Sequence, residues 1–319
     1  MKYLPVDATN TIPVLGLGTW KSSPGEVAKA VSAAITMGYR HIDCASIYQN
    51  QKEIGTALAG ALKAQQVNRD ELWITSKLWN NAHAKKHVQP ALERTLTDLQ
   101  LDYLDLFLIH WPINFQANIV FPKKPEEFLS PEAIPIIETW QAMEKMVQKG
   151  LCRCIGVCNF NLSRLIALKA QASIQPVMNQ IELHPLLQQQ KMLEYCRQNG
   201  VLLTAYSPLG SGDRPAALKK DTEPSLLTQP IIVDIAQRRE MSPAQVLLVW
   251  GLSRGTVVIP KSTNAARLQE NFLAADRSLE ATDLLAIDGL DQGYRFVDGS
   301  FFASPGSPYT VAGLWDEEE

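Results

Sequence analysis

Two kinds of segment alternate along most of the chain. The first kind is short, apolar and rich in β-branched residues, which is the pattern of buried strands. Segments of this kind occupy residues 14–19, 41–45, 72–76, 104–111, 154–159, 177–183, 201–206 and 256–260. The second kind is amphipathic and ends at a glycine, as in 24–37 before Gly38, 136–149 before Gly150 and 189–199 before Gly200. The alternation predicts eight strand-plus-helix units.

The order of these units predicts a closed (β/α)₈ barrel, an α/β fold of the TIM-barrel type, in a single domain spanning residues 1–319. The strands are continuous apolar runs, as expected where both faces are buried. A doubly wound open sheet is the alternative. Three segments do not fit the repeat: 112–135 after strand 4, 210–230 after strand 7, and a C-terminal tail at 292–319. Long insertions are usually functional, so we expect these segments near a substrate pocket.

Composition and charge narrow the possible functions. The chain has 319 residues, of which 46% are hydrophobic, and a net charge of −3. No global positive field therefore favours nucleic acid or acidic lipid as a partner. No stretch approaches the roughly 20 apolar residues that span a bilayer. The five cysteines are an odd number in a chain large enough to fold without disulfides, which favours reduced thiols and a cytoplasmic location.

Polar side chains stand at the carboxyl ends of the predicted strands, where barrel enzymes carry their chemistry. They are Asp43 and Tyr48 after strand 2, Lys77 after strand 3, His110 after strand 4, Asn159 after strand 5, Gln180 after strand 6, Tyr206 after strand 7 and Lys261 after strand 8. Because these ends meet on one face of a barrel, we expect the side chains to surround one site. An unpaired buried lysine would be too costly, so Lys77 is expected to pair with Asp43.

The first four of these side chains have a joint chemical use. A tyrosine ionises near pH ~10, which makes it a poor acid at neutral pH. A neighbouring ammonium favours the phenolate, so we expect Lys77, held by Asp43, to lower the pKa of Tyr48. His110 is placed to hydrogen-bond a substrate oxygen from the other side. Together the four predict a proton donor aimed at an oxygen that gains negative charge, as in carbonyl reduction.

The sequence patterns typical of metal sites are weak in this chain. Cys152, Cys154 and Cys158 lie in or beside one apolar strand without a second ligand cluster. His83 and His87 have the i, i+4 spacing of zinc ligands but lack the accompanying glutamate. A metal-dependent hydrolase is the alternative enzyme class for this barrel, and it is disfavoured because no His/Asp ligand set converges at the strand ends. We therefore expect no bound metal.

Seven motifs resemble those of the aldo-keto reductases, in the same order. Three match the family's signatures, namely GYRHIDCASIYQNQKEIG at 38–55, LDYLDLFLIHWP at 101–112 and IPKSTNAARLQEN at 259–271. The others are ITSKLWN at 74–80, GVCNF at 156–160, NQIELHP at 179–185 and AYSPLGSGDRP at 205–215. The resemblance covers nearly the whole chain. It implies a (β/α)₈ barrel that binds NADPH without a Rossmann motif.

The resemblance also assigns roles to residues. It implies a catalytic tetrad of Asp43, Tyr48, Lys77 and His110. The implied contacts to the nicotinamide end of the cofactor are Thr19, Trp20, Asp43 and Cys158, together with Asn159 and Gln180 on the carboxamide and Tyr206 stacked on the ring. The implied contacts to the pyrophosphate are Ser207, Leu209, Ser211 and Asp213. Those at the adenosine end are Lys261, Ser262, Thr263, Arg267, Glu270 and Asn271. Lys261 and Arg267 offer two cations to a 2′-phosphate, which favours NADPH over NADH.

The implied function is NADPH-dependent reduction of aldehydes, and of some ketones, to alcohols. The enzyme is expected to be a monomer whose partner is a small-molecule carbonyl substrate. The implied substrate pocket comprises Trp20, Ile47, Trp79, His110, Trp111, Phe115 and Phe121. Such walls favour apolar or aromatic aldehydes. The alternative is an NADPH-binding regulatory or redox-sensing subunit with low turnover.

One departure from the family pattern falls within the predicted site. The motif GVCNF places Cys158 where the family usually has a serine that contacts the carboxamide. A thiol is a weaker hydrogen-bond donor than a hydroxyl, so we expect a weaker contact at this position. Gln51 likewise stands where the family commonly has glutamate.

Overall fold

The structure is a computed structural model that describes residues 2–220 and 222–316; residues 317–319 of the predicted tail lie outside the described residues. The strands are β1 (Tyr3–Pro5), β2 (Thr11–Pro13), β3 (Leu17–Gly18), β4 (His41–Asp43), β5 (Trp73–Leu78), β6 (Leu104–Ile109), β7 (Asn114–Phe115), β8 (Phe128–Leu129), β9 (Cys152–Cys158), β10 (Met178–Glu182), β11 (Leu202–Tyr206) and β12 (Val257–Val258). The helices are α1 (Glu26–Met37), α2 (Gln51–Lys63), α3 (Lys85–Leu99), α4 (Ile136–Gln148), α5 (Leu162–Lys169), α6 (Gln190–Gln198), α7 (Pro230–Arg238), α8 (Pro243–Ser253), α9 (Ala265–Leu273), α10 (Ala281–Asp288) and α11 (Val311–Trp315). None of these helices is long and apolar enough to cross a membrane.

Eight parallel strands form the central sheet, in the order β3, β4, β5, β6, β9, β10, β11 and β12. The two outer strands meet, because Gly16 N donates to Val258 O at 2.9 Å and Gly18 N donates to Pro260 O at 3.1 Å. These bonds close the sheet and confirm the predicted (β/α)₈ barrel. The alternative prediction, an open doubly wound sheet, is wrong. The two long insertions follow β6 and β11, the fourth and seventh strands of the barrel.

Almost all residues of the barrel strands are buried, which explains why apolar side chains occur on both faces of most strands. Leu106 of β6, Cys154 of β9 and Met178 of β10 belong to the apolar cluster in the barrel interior. Phe107 and Ile155, the next residues of β6 and β9, belong to the larger cluster between the barrel and its helices. Successive side chains of a strand point to opposite faces, so each strand contributes to both clusters.

A helix follows each barrel strand and returns the chain along the outside; α7 and α8 both follow β11. The predicted end of the first helix is confirmed: Gly38 caps α1 with φ 105°, a left-handed conformation that glycine adopts readily. The predicted start at residue 24 is early by two residues. Glu26 N donates to Ser23 O at 3.1 Å in a turn, and α1 begins at Glu26.

An antiparallel hairpin, β1–β2, precedes the barrel and was not predicted. Its Val6 and Ile12 side chains pack in the interior cluster with Trp73 and Val257, the first residues of β5 and β12. The hairpin therefore covers the amino-terminal end of the barrel. The open cavity lies at the opposite, carboxyl end.

The C-terminal tail folds over this carboxyl end. Tyr309 O–H donates to Leu129 O at 2.8 Å, which joins the tail to the hairpin β7–β8 of the first insertion. Asn161 Nδ2 donates to Asp316 Oδ1 at 2.6 Å, which fixes the end of the described tail to the start of α5. The tail and the first insertion are thus held together beside the cavity.

Candidate active site

Asp43 and Lys77 form a buried ion pair at the carboxyl end of the barrel. Asp43 ends β4, and Lys77 is the penultimate residue of the neighbouring strand β5. Lys77 Nζ lies 2.5 Å from Asp43 Oδ1 and donates to Cys44 O at 3.0 Å. Both side chains are almost completely buried. Their charges therefore act on neighbouring groups with little screening by water.

Tyr48 lies beside this ion pair, at the end of a 3-10 turn that follows β4. Lys77 Nζ is 5.3 Å from the centre of the Tyr48 ring. Burial raises the pKa of Tyr48 above its ordinary value of 10.0, and the Lys77 ammonium offsets only part of that rise. The expected net lowering of the Tyr48 pKa is therefore wrong. The phenol keeps its proton at neutral pH, and Lys77 makes the loss of that proton less unfavourable than burial alone would.

His110 follows β6 and meets Tyr48 edge to face, with 5.8 Å between the ring centres. Trp79 also packs edge to face against His110, at 5.1 Å. Burial and the nearby Lys77 charge hold the pKa of His110 well below its ordinary value of 6.5. The imidazole is therefore neutral at physiological pH, with one N–H donor and one acceptor nitrogen.

Two amide side chains extend the site away from Tyr48. Asn159 Nδ2 donates to His110 O at 2.9 Å, and Asn159 Oδ1 accepts from the Tyr206 hydroxyl at 2.7 Å. Gln180 Nε2 donates to Asp43 Oδ2 at 2.7 Å. Asp43 thus receives a donor on each oxygen, from Lys77 and from Gln180. The amide orientation of Gln180 follows from this bond, because a carboxylate only accepts hydrogen bonds.

Cys158 ends β9 between these two amides. Asn159 Nδ2 lies 3.2 Å from Cys158 Sγ, and Cys158 Sγ lies 3.9 Å from Gln180 Oε1. Burial raises the pKa of the thiol, so it stays protonated and is a poor nucleophile. The sulfur makes long contacts at a position where a hydroxyl would require shorter ones. All five cysteines are free and buried.

A cavity of about 540 Å³ opens at this end of the barrel and collects most of the predicted site residues. Those that line it are Thr19, Trp20, Asp43, Ile47, Tyr48, Trp79, His110, Trp111, Phe121, Cys158, Asn159, Gln180, Tyr206, Ser207, Leu209, Ser211, Asp213, Lys261, Ser262, Thr263 and Arg267. Lys77 lies beneath Tyr48 and does not reach the wall. Polar and aromatic residues that follow different strands in the sequence therefore line the same cavity.

Phe115, Glu270 and Asn271 were predicted as contacts but lie outside the cavity wall. Phe115 is buried and packs edge to face against Trp79, with 5.9 Å between ring centres. Glu270 accepts a hydrogen bond from the Ser242 hydroxyl at the start of α8, and Asn271 is buried in α9. None of the three side chains reaches the cavity wall, and their predicted ligand contacts stay predictions.

An ion-paired strap, residues 207–213, borders the cavity after β11. Asp213 Oδ1 lies 2.5 Å from Lys21 Nζ, and Asp213 Oδ2 lies 3.2 Å from Lys261 Nζ. Lys21 follows β3 and Lys261 follows β12, so the strap is fastened where the barrel closes. Lys21 Nζ also donates to Ser211 Oγ at 2.9 Å. Lys21 was not predicted, although it follows strand 1 just as the predicted residues follow later strands.

The cavity differs in character between its two ends. Lys261 and Arg267 line one end, and Arg267 is exposed on the first turn of α9. At the other end the wall is largely aromatic, with Trp20, Trp79, Trp111, Phe121 and Phe301. Phe301 and Val297 come from the tail and were not predicted individually, because the tail has no hydrophobic periodicity. Because both side chains line the cavity, the C-terminal tail forms part of its wall.

Metal ligands do not gather at this site. Residues 2–220 and 222–316 contain no group of three or more His, Cys, Asp or Glu side chains that could hold a metal ion. His83 is buried, with Nδ1 2.8 Å from Asn114 Oδ1, and burial lowers its pKa to about 4. It therefore anchors the first insertion at β7.

Comparison with known proteins agrees with this architecture. The family model described as "Aldo/keto reductase family" matches residues 14–292. An aldo/keto reductase of Synechocystis sp. is 54% identical over 317 residues, covering 99% of this chain and 97% of that protein. Aldo-keto reductase family 1 member A1 of Gallus gallus is 43% identical, covering 90% of this chain and 88% of that protein. The solved aldose reductase from Schistosoma japonicum superposes with a TM-score of 0.87 at 38% identity, covering 95% of this chain and 96% of that chain. The chain therefore belongs to the aldo/keto reductase family, whose oxidoreductases reduce carbonyl compounds and generally use a nicotinamide cofactor.

Proposed function

We propose that the protein reduces aldehydes to alcohols with NADPH and that Tyr48 is the proton donor. The observation that carries the proposal is the buried Lys77–Asp43 ion pair beside Tyr48 and a neutral His110, at the aromatic end of one cavity. A reduced nicotinamide supplies a hydride when it is bound. The protein's own side chains supply orientation, a proton and charge stabilisation.

The residues along the cavity fit this cofactor. Asn159 and Gln180 carry both donor and acceptor atoms, which match the carboxamide of a nicotinamide. Tyr206 lines the cavity beside them and offers an aromatic face. Lys261 and Arg267 at the far end are suited to a 2′-phosphate, because charge-assisted hydrogen bonds to phosphate are stronger than neutral ones. This pairing supports NADPH rather than NADH.

Tyr48 is suited to protonate the substrate oxygen. As reduction proceeds, that oxygen gains negative charge and becomes a stronger base than a phenolate, so the proton passes to it from the Tyr48 hydroxyl. The Lys77 ammonium stabilises the phenolate that remains, while Asp43 holds Lys77 in place. His110 donates a hydrogen bond to the same substrate oxygen. The ion pair therefore acts on charge that develops during the reaction.

The activity is expected to vary little with pH across the neutral range. The pKa of His110 lies well below 6.5, so the imidazole gains a charge only as the solution becomes acidic. The pKa of Tyr48 lies above 10.0, so the phenol loses its proton only in strong base. Both groups keep their working protonation states between these limits. Initial rates at constant ionic strength test this, and a kcat/KM profile with a midpoint between pH 7 and 9 would contradict it.

Consumption of NADPH in the presence of a simple aldehyde tests the proposed function directly. The expected result is alcohol formation in equal amount to NADPH oxidised, with the same rate in the presence of a chelator. A rate that depends on the metal would instead indicate metal-assisted chemistry. NADPH binding without turnover of any aldehyde tested would contradict the proposal.

The aromatic wall leads us to expect a preference for apolar aldehydes. Trp20, Trp111 and Phe121 offer broad apolar surfaces, which suit aryl or alkyl groups better than a hydrated sugar. The value of kcat/KM is expected to be higher for a benzaldehyde than for an aldose by about tenfold or more. Steady-state rates with both substrates decide the point. A clear preference for the aldose would show that the wall does not select in this way.

We also propose that the enzyme acts as a monomer in the cytoplasm. The five free, buried thiols support a reducing compartment. The proposed tetrad and the residues proposed to hold the cofactor lie in one chain, so the proposed chemistry does not require a second copy. Sedimentation of the purified protein in its reduced state tests the oligomeric state.

A further inference from the structure

Glu182, the last residue of β10, is a completely buried carboxylate that the proposed chemistry does not use. Its Oε1 accepts hydrogen bonds from Phe296 N at 2.6 Å and from His184 Nε2 at 2.8 Å. Its Oε2 accepts from Val297 N at 2.7 Å. Burial raises the pKa of Glu182, but these donors more than offset that effect and hold it below its ordinary value. A buried charge with three well-placed donors indicates a specific task.

Two of the three donors are backbone N–H groups of residues 294–298, which we call the anchored segment. Val297 of this segment lines the cavity. The Phe296 ring packs against His184, with 5.0 Å between ring centres, and Arg214 Cζ lies 5.1 Å from the centre of the Phe296 ring. The anchored segment therefore contacts the barrel on one side and the cavity on the other.

The anchored segment also supports the aromatic part of the tail. Asp298 O accepts a hydrogen bond from Trp315 Nε1 at 2.7 Å. Trp315 packs edge to face against Trp111, with 5.9 Å between ring centres, and Phe301 packs against the same ring at 5.8 Å. A chain of contacts therefore links the anchored segment to Trp111 and Phe301 in the cavity wall.

We infer that Glu182 is a positioning residue for substrate selection. It fixes the backbone of the anchored segment and thereby the part of the cavity wall that the Val297 side chain forms. The inference rests on the proposed function, because substrate selection is measured from the rates at which different aldehydes are reduced. Glu182 does not line the cavity and acts through the hydrogen bonds to Phe296 and Val297. It therefore governs the fit of large substrates and leaves proton transfer by Tyr48 unchanged.

The variant Glu182→Gln tests the hydrogen bonds with almost no change of shape. The two backbone donors use different carboxylate oxygens, whereas an amide has one acceptor oxygen and one NH₂ group. In either orientation the NH₂ group faces a backbone N–H, and one of the two bonds is lost. Glu144→Ala is the control, because Glu144 Oε1 accepts from Ser173 N at 2.7 Å and Ile174 N at 2.9 Å, away from the cavity.

Hydrogen–deuterium exchange measures positioning without any need for turnover. In the wild-type protein, peptides that contain the Phe296 and Val297 amides are expected to exchange slowly. Glu182→Gln should speed exchange in the anchored segment, whereas Glu144→Ala should speed it near Ser173 alone. Unchanged protection of the anchored segment in Glu182→Gln would overturn the inference. This result does not depend on whether the protein reduces aldehydes.

Steady-state kinetics then measure substrate selection. The quantity compared is the ratio of kcat/KM for a substituted benzaldehyde to kcat/KM for propanal. Propanal is the reference because it is too short to contact the Val297 side chain. Glu182→Gln is expected to lower this ratio by about five- to tenfold, through a higher KM for the benzaldehyde. Glu144→Ala should leave the ratio unchanged even if it lowers Tm. An equal fall in both variants, or no fall in Glu182→Gln, would overturn the inference. An inactive wild-type protein would instead refute the proposed function.

A second variant covers the case in which Glu182→Gln does not fold. Val297→Ala trims the wall and leaves the backbone N–H groups in place. It should lower the same ratio while protection of the anchored segment is retained. A Val297→Ala enzyme with the wild-type ratio would show that this wall does not select substrates, and would overturn the inference.

Discussion

Replacement of Tyr48 by phenylalanine is expected to lower kcat for aldehyde reduction by about 10²- to 10⁴-fold, the usual contribution of a general acid. The substitution removes the hydroxyl proton and keeps the ring that packs edge to face against His110. Lys77 and Asp43 should remain paired, because the bonds from Lys77 Nζ to Asp43 Oδ1 and to Cys44 O do not involve the phenol. The loss should therefore fall on the chemical step. Single-turnover rates with saturating cofactor measure it.

Two controls separate this effect from a loss of structure. The dissociation constant for NADPH should change little in Tyr48→Phe, because the cofactor anchors proposed above do not include the phenol hydroxyl. Tyr39→Phe is the matched variant, since the Tyr39 hydroxyl is buried and donates to Leu268 O at 2.9 Å outside the cavity. It should lower stability and leave kcat near the wild-type value. A Tyr48→Phe enzyme with near-normal kcat would rule out Tyr48 as the proton donor.

The buried ion pair has a chemical rather than a stabilising role in this scheme. Removing two charges from water costs several kcal/mol per ion, roughly as much as their attraction returns. Lys77 and Asp43 could be replaced by apolar residues with little expected loss of stability if packing were all that mattered. Their position beside Tyr48 instead provides a fixed positive charge where a phenolate forms. Such preorganised charge needs no reorientation during the reaction.

The barrel was predictable because its strands are buried on both faces and because α1, α4 and α6 end at or within two residues of a glycine. Continuous apolar runs such as residues 106–109 have one stable environment in an α/β protein, between helices and the barrel interior. The hairpin β1–β2 was missed because each strand has three residues and ends in a proline, Pro5 or Pro13. Strands this short leave no readable alternation of apolar and polar positions.

The site was predictable to the extent that it depends on strand ends. Asp43, Lys77 and Gln180 are held by the barrel itself, so their order along the chain fixed their positions. The pKa of Tyr48 was predicted in the wrong direction, because the sequence indicates the neighbouring charge but not the degree of burial. Val297 and Glu182 escaped prediction for a related reason. Their proposed roles depend on where an irregular tail packs against the barrel, and no local sequence pattern predicts that contact.

Replacement of Arg267 by alanine is expected to weaken NADPH binding by about ten- to a hundredfold, the effect of losing one charge-assisted hydrogen bond. Arg267 lines the cationic end of the cavity together with Lys261, Ser262 and Thr263. A guanidinium matches the geometry of a phosphate group and carries its charge at every working pH. NADH lacks the 2′-phosphate, so its affinity should hardly change. The discrimination between the two cofactors should fall by the same factor as NADPH affinity.

Titration of protein fluorescence with each cofactor measures both dissociation constants for the wild type and the variant. Arg94→Ala is the matched control, because Arg94 is exposed on α3, does not line the main cavity, and carries the same charge. Either variant makes the net charge of −3 more negative by one unit, so a general electrostatic effect would appear in both. A loss of NADPH affinity confined to Arg267→Ala, which fades as salt screens the pair, would assign the phosphate to this side chain. Equal losses for NADH and NADPH would show that Arg267 does not distinguish the 2′-phosphate.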